Sequence, residues 1–336
     1  MPLLDAWIAK VKPAGRTLLL AEGQDPRVMR AAAKIATLGI AGKVIVLATP
    51  QERTTAGQGI SFAGLNVEFL DYTRATVTER LAAAFCERRK SKGVTIEQAR
   101  QQMADRIYFG DMLLREGLAD CLVAGSIATT PDMVRAAFQC IGTAPGIKTG
   151  SSFFAMELLQ PTPGGEGVLI YADAGVNPDP TPEQFVDIVV STIRSYPALV
   201  GGQARVAMLS FSTKGSAKHA MVDKMAEATR LAAARVQALK LDALVDGELQ
   251  VDSAIVPAIA ASKCPSSPLK GRANILVFPD LQSGNISYKL TERLAGARAY
   301  GPIMQGLAKP ANDLSRGCST DDIVAVAAIA ACQSMP

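Results

Sequence analysis

The sequence predicts an α/β protein of two domains, each with a sheet rich in parallel strands and flanked by helices. Short apolar runs alternate along the chain with longer segments of helical periodicity, which is the pattern of repeated strand–helix–strand units. The length of 336 residues exceeds what one hydrophobic core usually serves. A stretch rich in Gly, Pro and Lys, TAPGIKT, marks a boundary. We expect residues 1–145 with 300–336 to form the first domain and residues 146–299 the second.

The first half of the chain contains the clearest helix starts. Thr95 with Gln98 has the spacing of a capping box. Thr130 followed by Pro131 is typical of an N-cap and a proline at the first helical position, and this helix carries Arg135. Short apolar runs predict strands at 16–21, 43–47, 67–70 and 120–124, and helical periodicity predicts helices at 26–38, 81–92, and from Thr95 and Thr130 onward.

The second half repeats the alternation of strands and helices. A polar, proline-rich loop precedes a helix that starts at Thr181. We expect a loop at 279–285 and then a helix to about Leu294. The predicted strands are 168–172, 206–211, 243–247 and 274–278, and a further helix follows Ser216 and extends to about Leu239.

The last helix, from Thr320 onward, organises the predicted site. Its apolar residues recur at helical spacing, so the helix should be largely buried. Ser319 and Asp322 resemble a capping box. Just before them, Ser315 and Arg316 offer a hydroxyl and a guanidinium at a helix N terminus, where free amides and the helix dipole favour an anion. The sequence therefore predicts a phosphoryl site here, with the last segment returning to the first domain.

Three other positions could contact an anion or a reacting group. Lys214 follows a strand and is predicted to open a helix, so its amides could face a phosphate. Arg135 lies one turn inside a helix that follows a strand and loop, where open α/β sheets place ligands. Cys318, close to Arg316 at a helix start, should have a depressed pKa; we favour a packed role for it over a nucleophilic one.

Composition and charge exclude several classes of protein. The net charge of +4 and the absence of long basic runs argue against nucleic-acid binding and suit a small anionic substrate. No apolar run reaches the roughly 18 residues of a membrane span, and the N terminus does not resemble a secretory signal. Six cysteines without C-x-x-C spacing indicate reduced thiols in a cytoplasm and no disulfide frame or zinc site. The single histidine excludes a His-rich metal centre, and we predict no metal.

Four strings together resemble the phosphate acetyltransferase, or phosphotransacetylase, family. They are FSTKGSA (211–217), VDGELQVDSA (245–254), FPDLQSGNISYK (278–289) and PANDLSRGCS (310–319). The resemblance covers nearly the whole chain and is that of the short form with the catalytic domain alone. It implies reversible transfer of an acetyl group between acetyl-CoA and phosphate, giving acetyl phosphate and CoA. It also implies a fold like isocitrate and isopropylmalate dehydrogenases, an active site in an interdomain cleft, and a homodimer.

The resemblance also implies roles for particular residues. Arg316 would hold the phosphate, Ser315 would donate to the developing oxyanion, and Asp322 would take the thiol proton of coenzyme A. The residues alone favour a helix cap for Asp322 over a base, and the resemblance reverses that order. Arg89 and Arg135 match substrate-binding arginines of the family, with Arg88 as the alternative to Arg89. The remaining expected substrate contacts are Thr130, Lys214, Ser283, Gly284 and Asn285.

Coenzyme A is thus expected as a substrate, with no tightly bound cofactor, and attack by its thiol would occur directly in a ternary complex. Two alternatives remain open from the sequence. One is a phosphate butyryl- or propionyltransferase. The other is a dehydrogenase of the same fold, for which Asp242, Asp246 and Glu248 are the carboxylates that could hold a metal. Acetate metabolism and the breakdown of ethanolamine or propanediol are equally compatible pathways.

Overall fold

The computed structural model describes residues 3–335, which divide into two compact units. One unit runs up to Ala144 and resumes at Leu307; the other covers Pro145–Gly306. The sequence boundaries were placed at 145/146 and 299/300. The second unit extends past 299 because the strand Arg298–Gln305 pairs with the strand Ser151–Glu157 of the same unit.

The first unit is built on a parallel sheet of five strands. Its strands are β1 (Thr17–Leu20), β2 (Lys43–Leu47), β3 (Val67–Leu70), β4 (Cys121–Ala124) and β11 (Ala311–Asp313). Its helices are α1 (Leu3–Val11), α2 (Pro26–Leu38), α3 (Pro50–Ala56), α4 (Thr78–Arg89), α5 (Ile96–Gln102), α6 (Arg106–Arg115), α7 (Thr130–Cys140) and α13 (Thr320–Gln333).

The strand order is β11-β4-β1-β2-β3, and all four pairings are parallel. From β1 the chain adds β2 and β3 on one side, and it then returns to add β4 and β11 on the other side of β1. The direction in which strands are added therefore reverses between β1 and β4. In open α/β sheets the carboxyl ends of the strands at such a reversal form a crevice that accepts ligands. The strand order of this unit therefore places a candidate site beyond the carboxyl ends of β1, β4 and β11.

Both faces of this sheet are covered, which explains its continuous apolar strands. Leu19, Ile45 and Leu122 point to one face and pack with α4, α5, α6 and α7. The alternating residues Leu18 and Val44 are equally buried on the opposite face, where α13 packs against α2 and β4. The buried final helix and its return to the first unit are as the sequence predicts.

The second unit contains a mixed sheet of six strands. Its strands are β5 (Ser151–Glu157), β6 (Val168–Ala172), β7 (Ala204–Leu209), β8 (Ala243–Leu249), β9 (Ile275–Val277) and β10 (Arg298–Gln305). Its helices are α8 (Pro182–Leu199), α9 (Ala220–Ala238), α10 (Val251–Ile255), α11 (Pro257–Lys263) and α12 (Leu281–Ala295). The order is β10-β5-β6-β9-β7-β8, with β10, β5 and β6 joined by antiparallel pairings and the rest parallel.

Several boundaries differ from the sequence prediction. The predicted loop at 279–285 is largely helix: α12 starts at Leu281, because Asp280 caps it by accepting a hydrogen bond from the Ser283 amide. The helix predicted directly after Ser216 starts at Ala220, with His219 as its N-cap. No described helix, within residues 3–335, is long and apolar enough to cross a membrane.

Candidate functional site

Glu22 fixes the loop that follows β4. The residue comes just after β1 and is almost fully buried. Its carboxylate accepts hydrogen bonds from the amides of Gly125 (2.7 Å), Ser126 (2.6 Å), Ile127 (3.1 Å) and Ala128 (2.7 Å). The Ser126 hydroxyl donates a fifth at 2.9 Å. Such a set of charge-assisted bonds holds the loop in one conformation, so the carboxyl ends of β1 and β4 form a rigid floor.

Arg27 ties the loop before α13 to this floor. Its Nη1 donates to the backbone oxygens of Arg316 (2.9 Å) and Cys318 (2.7 Å), and its Nη2 donates to that of Ser126 (2.9 Å). Asp25, the N-cap of α2, orients the guanidinium by accepting from Nε and Nη2. Burial alone would raise the pKa of Asp25, but the hydrogen bonds from Arg27 hold it below its usual value. The planar fork of an arginine suits this multiple contact.

The loop 315–319 presents Ser315 and Arg316 to solvent. The Ser315 hydroxyl accepts from the Gly317 amide at 3.3 Å, and its carbonyl accepts from the Cys318 amide at 2.9 Å. Because Arg27 takes the carbonyls of 316 and 318, the loop backbone is fixed while the Arg316 side chain stays exposed. A guanidinium so placed can bind a phosphate through two parallel hydrogen bonds.

Asp322 forms the capping box that its spacing predicts. Its Oδ2 accepts from the amide of Ser319 at 2.8 Å and from the hydroxyl at 2.9 Å, and the Ser319 hydroxyl accepts from the Asp322 amide. Asp321 is a second acid in the same turn. The positive end of the helix dipole is thus already matched by carboxylates. Positive charge for an anion in this loop comes from Arg316 more than from the helix end.

The expectation of a depressed Cys318 pKa was wrong. The side chain is buried under the loop, and burial raises the pKa of its thiol to about 11, although Arg27 partly opposes the rise. A thiol that loses water on burial is harder to ionise than one beside an exposed cation. The packed role that the sequence favoured is therefore the one that this geometry supports.

Thr130 and Asp313 meet at the ends of α7 and β11. The predicted N-cap was one residue late: Thr129 caps α7, and Thr130 is its first helical residue. The Thr130 hydroxyl is consequently free to donate to Asp313 Oδ2, at 2.5 Å. Asp313 is 1% exposed, and burial raises its pKa to about 7, against the hydrogen bond from Thr130.

Gly125 makes room for this carboxylate. A Cβ on Gly125 would lie 2.1 Å from Asp313 Oδ1 and 2.7 Å from the Leu314 amide nitrogen, and its φ is +101°. Both the space and the backbone conformation therefore require glycine here.

The predicted arginines of this unit have different surroundings. Arg88 donates from Nε to the carbonyl of Gln139 at 2.8 Å, which commits it to packing between α4 and α7. Arg89 has a buried Nε without a hydrogen-bond partner, and it is not tied to α7 by a bond of this kind. Arg135 is exposed and pairs with Asp132 on its own helix at 3.0 Å, a common arrangement for a solvated surface charge.

Lys214, in the second unit, does not open a helix. It lies in a turn with φ +50°, and its amide donates to the Glu248 carbonyl at 3.1 Å. Its ammonium group contacts the carboxylate of Asp246 and donates to the Gly247 carbonyl at 2.9 Å. The expected use of its amide for a phosphate was wrong, because β8 takes that donor.

The carboxylates considered for a metal make separate contacts. Asp242 accepts from Gln203 at 2.8 Å, Asp246 holds Lys214, and Glu248 accepts from the Gly215 amide at 2.6 Å. Within residues 3–335, no three His, Cys, Asp or Glu side chains are grouped so that they could hold a metal ion.

Ser283, Gly284 and Asn285 lie in the first turns of α12. The Ser283 amide donates to Asp280 Oδ1 at 2.8 Å, and the Ser283 hydroxyl donates to the Asp280 carbonyl oxygen at 2.9 Å. Gly284 is buried, and a Cβ there would lie 2.5 Å from the Asp173 carbonyl oxygen. The absence of a side chain at Gly284 thus permits close packing of α12, in a segment that the sequence predicted to be a loop.

Sequence reasoning missed Glu22, Arg27 and Asp313. Glu22 follows β1, Arg27 lies in the first turn of the next helix, and Asp313 ends β11, so a systematic inspection of strand ends and of the helix starts after them would have found them. Their partners lie far away along the chain, 103 residues for Glu22 and Gly125 and 291 for Arg27 and Cys318, and only the fold brings them together.

A doubly wound sheet with fixed loops and an exposed guanidinium at its carboxyl edge defines the class: an α/β enzyme acting on an anionic substrate. Comparison with known proteins specifies the family. The family model described as "Phosphate acetyl/butaryl transferase" matches residues 3–331. The chain belongs to this family, as the four strings of the sequence indicate.

Two relatives support the same assignment over the full length of the chain. A phosphate acetyltransferase of Thermoanaerobacterium thermosaccharolyticum is 46% identical over 334 residues, covering 99% of this chain and 100% of the relative. The EutD phosphotransacetylase from Staphylococcus aureus superposes with a TM-score of 0.90 at 39% identity, covering 99% of this chain and 98% of that one.

The predicted α/β class with parallel-rich sheets is confirmed. A 4-hydroxythreonine-4-phosphate dehydrogenase from Klebsiella pneumoniae shares the fold at a TM-score of 0.52 and 12% identity, covering 96% of this chain and 100% of that one. This likeness concerns the fold alone.

Proposed function

We propose that this protein is a phosphate acetyltransferase, which transfers an acetyl group reversibly between acetyl-CoA and inorganic phosphate, giving acetyl phosphate and CoA. The family relationship over the whole chain supports the reaction. The observation that carries the site is the Arg316 loop, whose backbone Arg27 fixes through the carbonyls of 316 and 318. Coenzyme A serves as a substrate, and no tightly bound cofactor is required by this chemistry.

Arg316 and Ser315 hold the acyl phosphate. The guanidinium binds the phosphate and stabilises the charge that it gains as it leaves. The Ser315 hydroxyl donates to the carbonyl oxygen as that oxygen becomes negative. In the direction of acetyl-CoA formation the thiol loses its proton, the sulfur attacks the carbonyl carbon, and the carbon–oxygen bond to phosphate breaks. The phosphate departs with the electron pair, so no covalent enzyme intermediate is needed.

The thiol proton needs an acceptor, since a free thiol is only a few per cent ionised at neutral pH. The family resemblance gives this task to Asp322. Its Oδ2 holds the amide and hydroxyl of Ser319, so the residue would combine capping with catalysis.

The other residues that were predicted to contact the substrate remain in the proposal, each limited by the partners that it already has. Arg89 and Arg135 are candidates for the phosphates of coenzyme A, and the bond that ties Arg88 to the Gln139 carbonyl favours Arg89 over Arg88. For Lys214, a substrate phosphate would have to compete with Asp246. Ser283 and Asn285, which are partly exposed, are kept as candidate contacts, and Gly284, which is buried, is kept for the close packing of α12 beside them.

We further propose a homodimer, with the apolar face of α12 as its contact surface. Ile286, Leu290 and Leu294 are spaced four residues apart and are 56%, 52% and 81% exposed. Leu159, 78% exposed, lies beside the end of the helix at Gly296. A row of large apolar side chains is typical of a protein–protein interface. Light scattering of Leu290→Glu should give half the mass of the wild type if α12 forms the contact; an unchanged dimer would reject this surface.

The cytoplasmic location and a place in acetate metabolism complete the proposal. Six free cysteines, five of them buried, are compatible with a reducing compartment. The substrate pair is compatible with this pathway, because acetyl phosphate and acetyl-CoA link acetate to central metabolism.

The experiment is a steady-state assay of CoA release from acetyl-CoA with phosphate, in EDTA and without nicotinamide cofactor. We expect turnover that requires phosphate and is also supported by arsenate. Turnover that depends on a nicotinamide cofactor, or none at all, would reject the proposed function. Acetyl-, propionyl- and butyryl-CoA are compared in parallel, because the family description includes both acetyl and butyryl transfer.

A matched pair of variants tests the site within the same assay. Arg316→Gln should lower kcat/KM by about 100-fold or more, as expected when a group that stabilises transition-state charge is removed. Arg230→Gln removes another exposed arginine, which pairs with Glu227 outside the site, and should leave the rate unchanged.

A further inference from the structure

Ile127 is a large apolar side chain that is exposed at the candidate site. It is 48% exposed and follows β4, in the loop that Glu22 fixes. Among the described residues of the first unit, one other large hydrophobic side chain is exposed, that of Leu118 at 40%, and it precedes the amino end of β4. The two side chains therefore lie at opposite ends of one strand, and Ile127 lies at the carboxyl end, where open α/β sheets bind ligands.

The backbone of Ile127 is fixed independently of its side chain. Its amide donates to Glu22 Oε1 at 3.1 Å, and the amides of Ser126 and Ala128 on either side donate to the same carboxylate at 2.6 and 2.7 Å. Because the Glu22 carboxylate is buried, these amides point inward while the Ile127 side chain remains exposed. A substitution at Ile127 should therefore change the exposed surface and leave the loop in place.

Arg27 joins the Ile127 loop to the loop that carries Arg316. Its guanidinium donates to the backbone oxygens of Ser126 and Arg316, each at 2.9 Å. The guanidinium is a small, planar group, so the two backbone oxygens that it binds are close together. Ile127, the residue after Ser126, is thus a neighbour of the predicted phosphate ligand.

A second contact brings the Ile127 loop against Ser315. A Cβ added to Gly125 would lie 2.7 Å from the Leu314 amide nitrogen and 3.0 Å from the Leu314 carbonyl oxygen. The backbone at the start of the Ile127 loop therefore packs directly against the residue that precedes Ser315. Both contacts lie within the first unit, so the position of Ile127 beside the site depends on this unit alone.

The exposed surface of the two loops is otherwise polar or lacks a side chain. Within 125–130 and 315–319, the exposed residues are Ile127, Ser315, Arg316, Gly317 and Ser319. An acyl phosphate is polar except for its alkyl group, and that group gains most from leaving water for an apolar surface. Ile127 is the one large apolar side chain that these loops expose to it.

We propose that Ile127 contacts the alkyl part of the acyl group and limits its length. The proposal rests on the phosphate acetyltransferase function, in which Ser315 donates to the carbonyl oxygen of the substrate. The alkyl group is bonded to that same carbonyl carbon, so it lies close to Ser315 and to the neighbouring loop. The methyl group of an acetyl substrate fits beside Ile127, whereas each further methylene meets a side chain whose backbone cannot yield.

The test is kcat/KM for acetyl-, propionyl- and butyryl-CoA at saturating phosphate, measured as CoA release. Ile127→Ala removes most of the apolar side chain, so kcat/KM for butyryl-CoA relative to acetyl-CoA should rise by about 10-fold or more, the range for a methylene-sized change in an apolar contact. Ile127→Val removes less and should give a smaller rise. Leu118→Ala, at the other end of β4, should keep the wild-type ratio.

A contact with the arm of coenzyme A, which also has apolar parts, would give a different result. KM for CoA is therefore measured in the opposite direction, with acetyl phosphate as the acyl donor. It should keep its wild-type value in Ile127→Ala, because a contact with the acyl group leaves the arm untouched. Unfolding temperatures check that each variant is folded.

The proposal is overturned if Ile127→Ala keeps the wild-type ratio of butyryl- to acetyl-CoA. It is also overturned if the rates with all three acyl-CoAs fall equally while KM for CoA rises, since the contact would then be with the arm. A wild-type protein that releases no CoA from any of the three would instead reject the proposed function, before any variant is compared.

Discussion

The guanidinium of Arg27 donates a 2.7 Å hydrogen bond to the backbone oxygen of Cys318, 291 residues away. Together with the bond to the Arg316 carbonyl, this contact joins α2 to the loop that carries the predicted phosphate ligand. Arg27 touches no reacting group in this arrangement. It acts by keeping the loop in one place.

Replacing Arg27 should therefore reduce activity more than stability. Arg27→Gln frees the loop, so we expect KM for phosphate to rise and kcat to fall by up to about 100-fold, as when a substrate ligand is displaced by about 1 Å. Arg27→Lys should recover only part of the loss, because an ammonium cannot reproduce the fork. Steady-state kinetics measure both.

The matched control is Arg100→Gln, which removes another arginine that binds a carboxylate with two nitrogens, that of Glu79, away from the loop. If Arg27→Gln left both kinetic constants at the wild-type values, the loop would not depend on this contact.

Gly125→Ala should disturb the Asp313 carboxylate directly. The new methyl group would lie 2.1 Å from Asp313 Oδ1, and the left-handed backbone adds strain, so we expect the free energy of unfolding to fall by about 3 kcal/mol or more. Denaturant unfolding gives the value, and activity should fall with it.

Gly117→Ala provides the comparison. Gly117 also has a positive φ, +76°, but no atom lies within 4 Å of its added Cβ. Gly117→Ala should therefore lower the free energy of unfolding through backbone strain alone, by roughly 1 kcal/mol. Equal losses for the two variants would mean that the close approach to Asp313 is unimportant.

Cys318→Ala should keep most of the activity. With a thiol pKa of about 11, the thiolate fraction at pH 7 is on the order of one in ten thousand, too small for an efficient nucleophile. Acetyl transfer and circular dichroism are measured together. Loss of activity with the fold intact would point to a covalent intermediate and overturn direct attack.

Asp111 should make stability depend on pH. It is fully buried on α6, and neither carboxyl oxygen has a hydrogen-bond partner. Burial, and secondarily the charge of Asp105, raises its pKa well above the usual value of 3.8. The folded state then binds a proton that the unfolded state has already released, so the contribution of this group to stability falls as pH rises above about 4.

Asp111→Asn removes that ionisation in both states. Its unfolding temperature should match the wild type at about pH 4 and exceed it progressively toward pH 8. The control Asp132→Asn changes an exposed aspartate and should show no such trend. A constant difference between Asp111→Asn and the wild type across this range would contradict the account.

Local signals in the sequence predicted much of the fold. Helix α2 has the predicted bounds, and the predicted capping boxes at Thr95 and Ser319 are present, because each box depends on residues only three positions apart. Strands β5 and β10 were missed. They pair antiparallel, and β10 has an irregular register between Tyr300 and Ile303, where Gly301 and Pro302 conceal a strand.

The residues of the candidate site also differ in whether a local sequence pattern could identify them. Ser315, Arg316 and Asp322 occur in one short motif and could be named from the sequence. Glu22 and Arg27 act on backbone groups of distant loops, so no local pattern identified them. Thr130 was named without its partner, because the one-residue shift of the N-cap to Thr129 is what leaves its hydroxyl for Asp313.

The central claim is that the loop before α13 binds the acyl phosphate through Arg316. A crystal structure with acetyl phosphate bound tests it most directly. We expect the phosphate oxygens within about 3 Å of the Arg316 guanidinium, with the Ser315 hydroxyl directed at the carbonyl oxygen and Arg27 still bound to the backbone of residues 316 and 318. Acetyl phosphate bound elsewhere, with Arg316 in solvent and this loop unliganded, would contradict the claim.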